Sequence, residues 1–68
     1  MEYGQAVVYV GDAGKESLAF VTDFEGGQAD LVVLGADGVG VKKNVARRAP
    51  KDFGPEGGGH TFHLRAEA

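Results

Sequence analysis

The chain contains no cysteine and no tryptophan, a single methionine and two prolines in 68 residues. Without cysteine there is neither a disulfide framework nor a thiolate metal site, so the usual staples of very small domains are absent. No stretch approaches the roughly 20 apolar residues of a membrane span. The opening Met1-Glu2-Tyr3-Gly4 carries neither a basic segment nor an apolar run of signal length. The expectation is a protein that is soluble, made in the cytoplasm and without membrane contact. No helix-length amphipathic stretch appears either. At this length one domain, residues 1–68, is all the chain can form, and it buries only about 60% of its unfolded surface. Stability then has to come from a well-made barrel, from self-association, or from docking onto a partner.

Positive charge is scarce over the first 41 residues, where seven carboxylates face Lys15 alone, a balance of −6. Residues 42–51 reverse this with Lys42, Lys43, Arg47, Arg48 and Lys51, a balance of +5, within a net charge of −3. A chain polarised in this way steers toward an acidic partner or toward the acidic side of another copy. Overall acidity argues against broad nucleic-acid binding.

Five short apolar runs separated by Gly- and Asp-rich turns make up the rest. Gln5 to Val10 (QAVVYV) is β-branched and aromatic and ends at Gly11-Asp12-Ala13-Gly14. Ser17 to Phe24 (SLAFVTDF) alternates, and its larger set, Leu18, Phe20, Thr22 and Phe24, is expected to face the core. Glu25-Gly26-Gly27-Gln28 predicts a hairpin into Ala29 to Leu34 (ADLVVL), which is apolar on both faces and so expected to be central. After Gly35-Ala36-Asp37-Gly38, with Asp-Gly at the position of a tight turn, Val39, Val41, Lys43 and Val45 recur at a spacing of two. They predict a fourth strand with Lys42 and Asn44 on its wet side. Ala46 to Gly59 carries two prolines and four glycines and predicts one long Pro/Gly-rich loop before the last strand. His60 to Arg65 (HTFHLR) is then the final strand, with Phe62 and Leu64 inward. The pattern is that of an all-β protein, a small five-stranded barrel whose interior is filled by its own side chains.

Stretches that imitate catalytic motifs fail on context. Gly11 to Ser17 (GDAGKES) has the wrong glycine spacing for a phosphate loop, lacks Ser or Thr directly after Lys15, and precedes no helix. Gly35 to Gly40 (GADGVG) is followed by a β-branched strand and not by a helix that could face a pyrophosphate. His60 and His63, three apart on a strand, point to opposite faces, which argues against a shared metal, and His63 is expected at the surface or in a hydrogen bond. No serine sits beside a placed base. The expectation is a non-enzyme with no cofactor and no metal.

The constellation that carries a functional claim is the basic one. Lys42, Lys43, Arg47, Arg48 and Lys51, followed by Phe53, combine steering charge with an aromatic anchor on a Pro/Gly-rich arm, a combination suited to protein docking. Charge runs of this kind also serve simply to solvate a loop and to keep an edge strand from pairing.

The arrangement of elements resembles small SH3-like β-barrel proteins of tailed bacteriophages. The resemblance rests on Tyr9-Val10 closing the first strand, Ala19 to Phe24 (AFVTDF), Ala29 to Leu34, and the ending Gly59-His60-Thr61-Phe62-His63. It spans nearly the whole chain and departs in His60 between Gly and Thr, and in Phe62 where Trp is the more familiar residue. It implies an SH3-like fold and a structural virion protein, most concretely a small capsid decoration or cement protein that binds neighbouring capsid subunits, located in the virion after synthesis in the host cytoplasm. The alternative is an SH3-like binding module that contacts a host protein or nucleic acid through the basic 42–51 segment.

Overall fold

Strands of four to ten residues pair in chain order and close this chain into a single sheet. A computed structural model describes residues 1–35, 38–54 and 57–67 and shows an all-β protein with five strands. These are β1 (Ala6–Val10), β2 (Glu16–Glu25), β3 (Gln28–Gly35), β4 (Gly38–Arg47) and β5 (Thr61–Leu64). They form a closed barrel in chain order, matching the expected small five-stranded SH3-like architecture. Neighbours are antiparallel except β4 and β5, which run parallel and meet only at Ala46↔Thr61 and Arg47↔Phe62. Three single 3-10 turns, Asp12–Gly14, Pro50–Asp52 and Arg65–Glu67, complete the described elements. No helix among the described residues is long and apolar enough to cross a membrane.

The β2–β3 hairpin closes at the pair Glu25↔Gln28. Gly26 takes φ +60° while Gly27 does not enter the left-handed region, the signature of a type II′ turn whose twist matches that of the strands. The β3–β4 hairpin closes at Gly35↔Gly38. Of the tight turn expected with Asp37-Gly38 at its position, residues 36–37 lie outside the described residues, and Gly38 is already the first residue of β4.

The core consists of Val7, Tyr9, Ala19, Val21, Ala29, Leu31, Val33, Val45 and Phe62, with Phe24 and Leu64 packed against it. Phe62 and Leu64 therefore point inward, as the final strand predicts. In β2 the expected face is overturned over its first half. Ala19 and Val21 are buried, whereas Leu18 is 43% exposed and Thr22 lies in solvent. A small barrel has little interior space, and with Tyr9, Leu31 and Phe62 already inside, small side chains such as Ala19 and Val21 fit there. A bulge then inserts Thr22 between the pairs Val21↔Leu31 and Asp23↔Asp30. One extra residue exchanges the faces, so Phe24 returns to the interior opposite Ala29.

The same device acts in β4. Leu31 pairs with Lys42 and Ala29 with Val45, leaving Lys43 and Asn44 opposite Asp30 alone. Asn44 adopts φ +55°, and its N–H donates to Asp30 Oδ1 at 2.9 Å. The spacing-of-two reading of β4 therefore holds only locally. Val45 is buried, but Val39 and Val41 project outward at 70% and 62% exposure, on the side opposite to Gly40, which pairs with the interior residue Val33.

Residues 48–54 and 57–59 form no strand, in keeping with the predicted loop, but they are folded against the barrel. On β1 and β5 the pairs Val8↔His63 and Val10↔Thr61 lie on the outer face, alternate to the core pairs Val7↔Leu64 and Tyr9↔Phe62. Yet Val10, Thr61 and His63 are buried. Described parts of the loop cover the last two as a strap, with the half-buried ring of Phe53 edge-on to His63, centroids 6.2 Å apart, and Gly58 O accepting the Thr61 hydroxyl.

Candidate docking surfaces

The outer face of β1 to β4 is apolar in two complete rows. Register places Val8, Leu18, Leu34 and Val39 side by side in one, and Ala6, Phe20, Val32 and Val41 in the next. With strands about 4.8 Å apart, the rows span about 15 Å. At the β1 end the rows are half-covered, and they are most open at Val39 and Val41 on β4. Scattered apolar side chains on a surface need no explanation, but a contiguous patch in register does. Glu16, at the end of β2, and Thr22, Asp30 and Lys43 at the two bulges supply its polar rim.

The patch runs onto a free sheet edge. Only Ala46 and Arg47 of β4 pair with β5, so residues 38–45 have no second neighbouring strand among the described residues. Every residue from Gly38 to Asn44 is exposed.

The predicted basic constellation is spread over three places. Lys42 and Lys43 lie on the exposed half of β4, Arg47 and Arg48 at the seam where β4 meets β5, and Lys51 in the turn Pro50–Asp52. Arg48 is engaged within the chain: its N–H donates to Phe62 O at 2.8 Å and its Nε to Asp52 O at 3.0 Å. Phe53, read from sequence as an aromatic anchor, rests on His63 and Gly58 and so serves the strap first. The structure thus places Lys43 on the side of the apolar rows and Lys42 on the opposite side of the same exposed strand, with Gly38 and Gly40, and it engages Arg48 and Phe53 within the chain.

His63, expected at the surface or in a hydrogen bond, is fully buried. Its Nδ1 lies 3.0 Å from Leu64 O, and its Nε2 has no hydrogen-bond partner among the described residues. His60 instead sits in the left-handed region at φ +63°, with Nε2 2.8 Å from Asp12 Oδ1 and Nδ1 3.2 Å from Tyr9 Oη. In its neutral form the ring donates from Nε2 to the carboxylate and accepts the Tyr9 hydroxyl proton at Nδ1. This string clips the β1–β2 connection to the start of β5 in the open, where such contacts contribute little.

An open cleft of about 270 Å³ lies at the other end of the barrel, lined by Asp23, Phe24, Glu25, Gln28, Ala29, Asp30 and Asn44. Its carboxylates are solvated, and no group of three or more potential ligands suited to a metal ion occurs among the described residues. No protein-family model matches the chain, and neither does any curated protein or solved structure.

The apolar rows could have been found from sequence by one signal. Val39 and Val41 are separated by Gly40 and preceded by Gly38, both on the alternate face, and a glycine has no side chain to pack into a barrel interior. The exposure of Leu18 and Phe20 carries no comparable local mark.

Proposed function

We propose that this protein is a structural interaction module, a small capsid decoration or cement protein of a tailed bacteriophage, and that it docks through the outer sheet face of β1 to β4. The observation that supports the reading is the pair of in-register apolar rows ending at Val39 and Val41. A face of this kind gains most by being covered, since each valine or leucine fully removed from water contributes about 1.5–3 kcal/mol. The resemblance to phage barrels supplies the particular setting. Many weakly held copies reinforce a shell collectively, which suits a small domain whose own core is modest.

The test is peptide mass spectrometry of purified particles, followed by removal and re-addition of the protein. Tens to hundreds of copies per particle, with Val39→Asp or Val41→Asp preventing re-addition, support the reading. Clean particles that contain none overturn it.

A further inference from the structure

The exposed half of β4 has three properties that belong together. The first is its backbone. Gly35 and Gly38 close the β3–β4 connection as a directly opposed pair across two residues, and in hairpins of that length the closing pair exchanges both hydrogen bonds. The alternation of an antiparallel ladder then turns the N–H and C=O of Gly38, Gly40 and Lys42 toward β3. Those of Val39 and Val41 face outward, where no strand pairs among the described residues. These are unspent donors and acceptors at the spacing of an added strand.

The second is the difference between its two sides. The outward side chains Val39 and Val41 continue the apolar rows of Leu34 and Val32. On the opposite side are Gly38 and Gly40, where an added Cβ would meet nothing within 4 Å. Gly40 lies directly beside the core residue Val33. A strand laid along this edge extends the apolar face with its own residues on one side. On the other it has room for a large side chain over Gly40, in the manner by which an aromatic neighbour compensates a strand glycine.

The third is charge. Lys42 and Lys43 lie at the inner end of the exposed segment, both exposed, with Asp30 already engaged by the Asn44 N–H. Lysines at an edge discourage pairing with a neutral or basic strand, and with a second copy they would add two more cations to the same small sheet. A strand bearing carboxylates relieves that repulsion and is selected by it.

We propose that the β4 edge, residues 38–43, is a strand-addition site for an extended acidic segment of a partner protein, with apolar residues alternating with Asp or Glu. The main chain supplies affinity through Val39 and Val41, and the alternating side chains supply selectivity. The inference goes beyond docking by the broad face and rests on the same surface.

Amide hydrogen exchange read residue by residue on the full chain tests it, with a short blocked peptide alternating valine and glutamate as the probe. At saturating peptide the Val39 and Val41 amides slow by at least about tenfold, while the already paired Gly40 amide changes little. The matching valine–lysine peptide has no such effect, and Lys42→Glu with Lys43→Glu reverses the preference between the two peptides. Val41→Pro, which removes an outward N–H, abolishes the slowing; should that variant fail to fold, the charge-reversed protein carries the test. Unchanged exchange overturns the proposal, as does equal slowing by both peptides. Slowing in the protein alone that grows with its concentration also overturns it and assigns the edge to a second copy. A failed edge in a protein still present on particles leaves the broad docking face standing, whereas a working edge in a protein absent from particles removes the virion setting and leaves the strand site.

Discussion

Phe53 lies directly against the Cα of Gly58, so that a Cβ at residue 58 would overlap the aromatic ring. Gly58 also takes φ +73°, a region that side chains other than glycine rarely enter. Its carbonyl accepts the Thr61 hydroxyl at 2.5 Å, which ties this tight spot to the start of β5. Gly58→Ala is therefore expected to destabilise the protein by about 2–3 kcal/mol, from overpacking and backbone strain together. Phe53→Ala in the same chain should return part of that loss. A denaturant-unfolding double-mutant cycle measures both, and an additive pair would mean that the ring and the glycine do not share the contact.

Against the same ring of Phe53, His63 is buried with one ring nitrogen bonded to Leu64 O and the other without a partner among the described residues. A buried polar atom without a partner costs about 1–3 kcal/mol, comparable to the hydrogen bond that Nδ1 gains. His63→Leu should therefore leave stability within about 1 kcal/mol of the parent, although most large buried side chains tolerate replacement poorly. Phe62→Ala, one position away and inside the barrel, should cost about 3–5 kcal/mol. Thermal unfolding of the two variants, side by side, distinguishes an outer covered histidine from a core one.

The inner and outer faces of β2 give a third contrast. Ala19→Leu adds apolar bulk at a fully enclosed position and should destabilise by about 1–3 kcal/mol. Leu18→Ala removes bulk from the half-open row and should cost less than about 1 kcal/mol. Urea unfolding midpoints decide it, and the reverse order would put Leu18 and not Ala19 in the core.

Strand existence, order and approximate bounds could be read from the chain because Gly and Asp clusters mark where pairing stops. The Gly26-Gly27 turn and the Phe62–Leu64 face are visible for the same local reasons. Which face of β2 and β4 turns inward was not legible, since Thr22 and the Lys43–Asn44 pair are bulges that reverse parity and carry no strong mark in the sequence. Neither could spacing alone reveal that His63 lies against Phe53, because that contact joins segments whose proximity only the closed barrel creates. Of the six residues expected to form the docking site, Lys43 flanks the apolar rows and Lys42 lies on the other side of the same exposed strand. Arg48 and Phe53 are occupied within the fold, a distinction that composition does not draw.

Exposed apolar residues on the outer face should be dispensable for folding. Val39→Thr with Val41→Thr keeps β-branched side chains on the strand, and the expected change in stability is within about 0.5 kcal/mol. Unfolding midpoints check this directly. A larger loss would mean that the two valines cover part of the barrel's own core.

The strand changes face between Val41 and Val45 at the β4 bulge, which carries a polar contact. Asn44 holds φ +55° while its N–H is accepted by Asp30 Oδ1, so the extra residue sits where a short polar side chain tolerates the left-handed region. Asn44→Gly should be neutral or stabilising by up to about 1 kcal/mol, because glycine enters that region freely. Asn44→Val should cost about 1–2 kcal/mol, since a β-branched residue resists positive φ. Asp30→Ala removes the acceptor and should cost about 1 kcal/mol. If the bulge is what sets parity, Asn44→Val combined with Asp30→Ala shifts the Val41 and Val45 side-chain resonances as the register slips, while Asn44→Gly leaves both in place. Unmoved resonances in the double variant would show instead that the burial of Val45 alone dictates the register, with the bulge following from it.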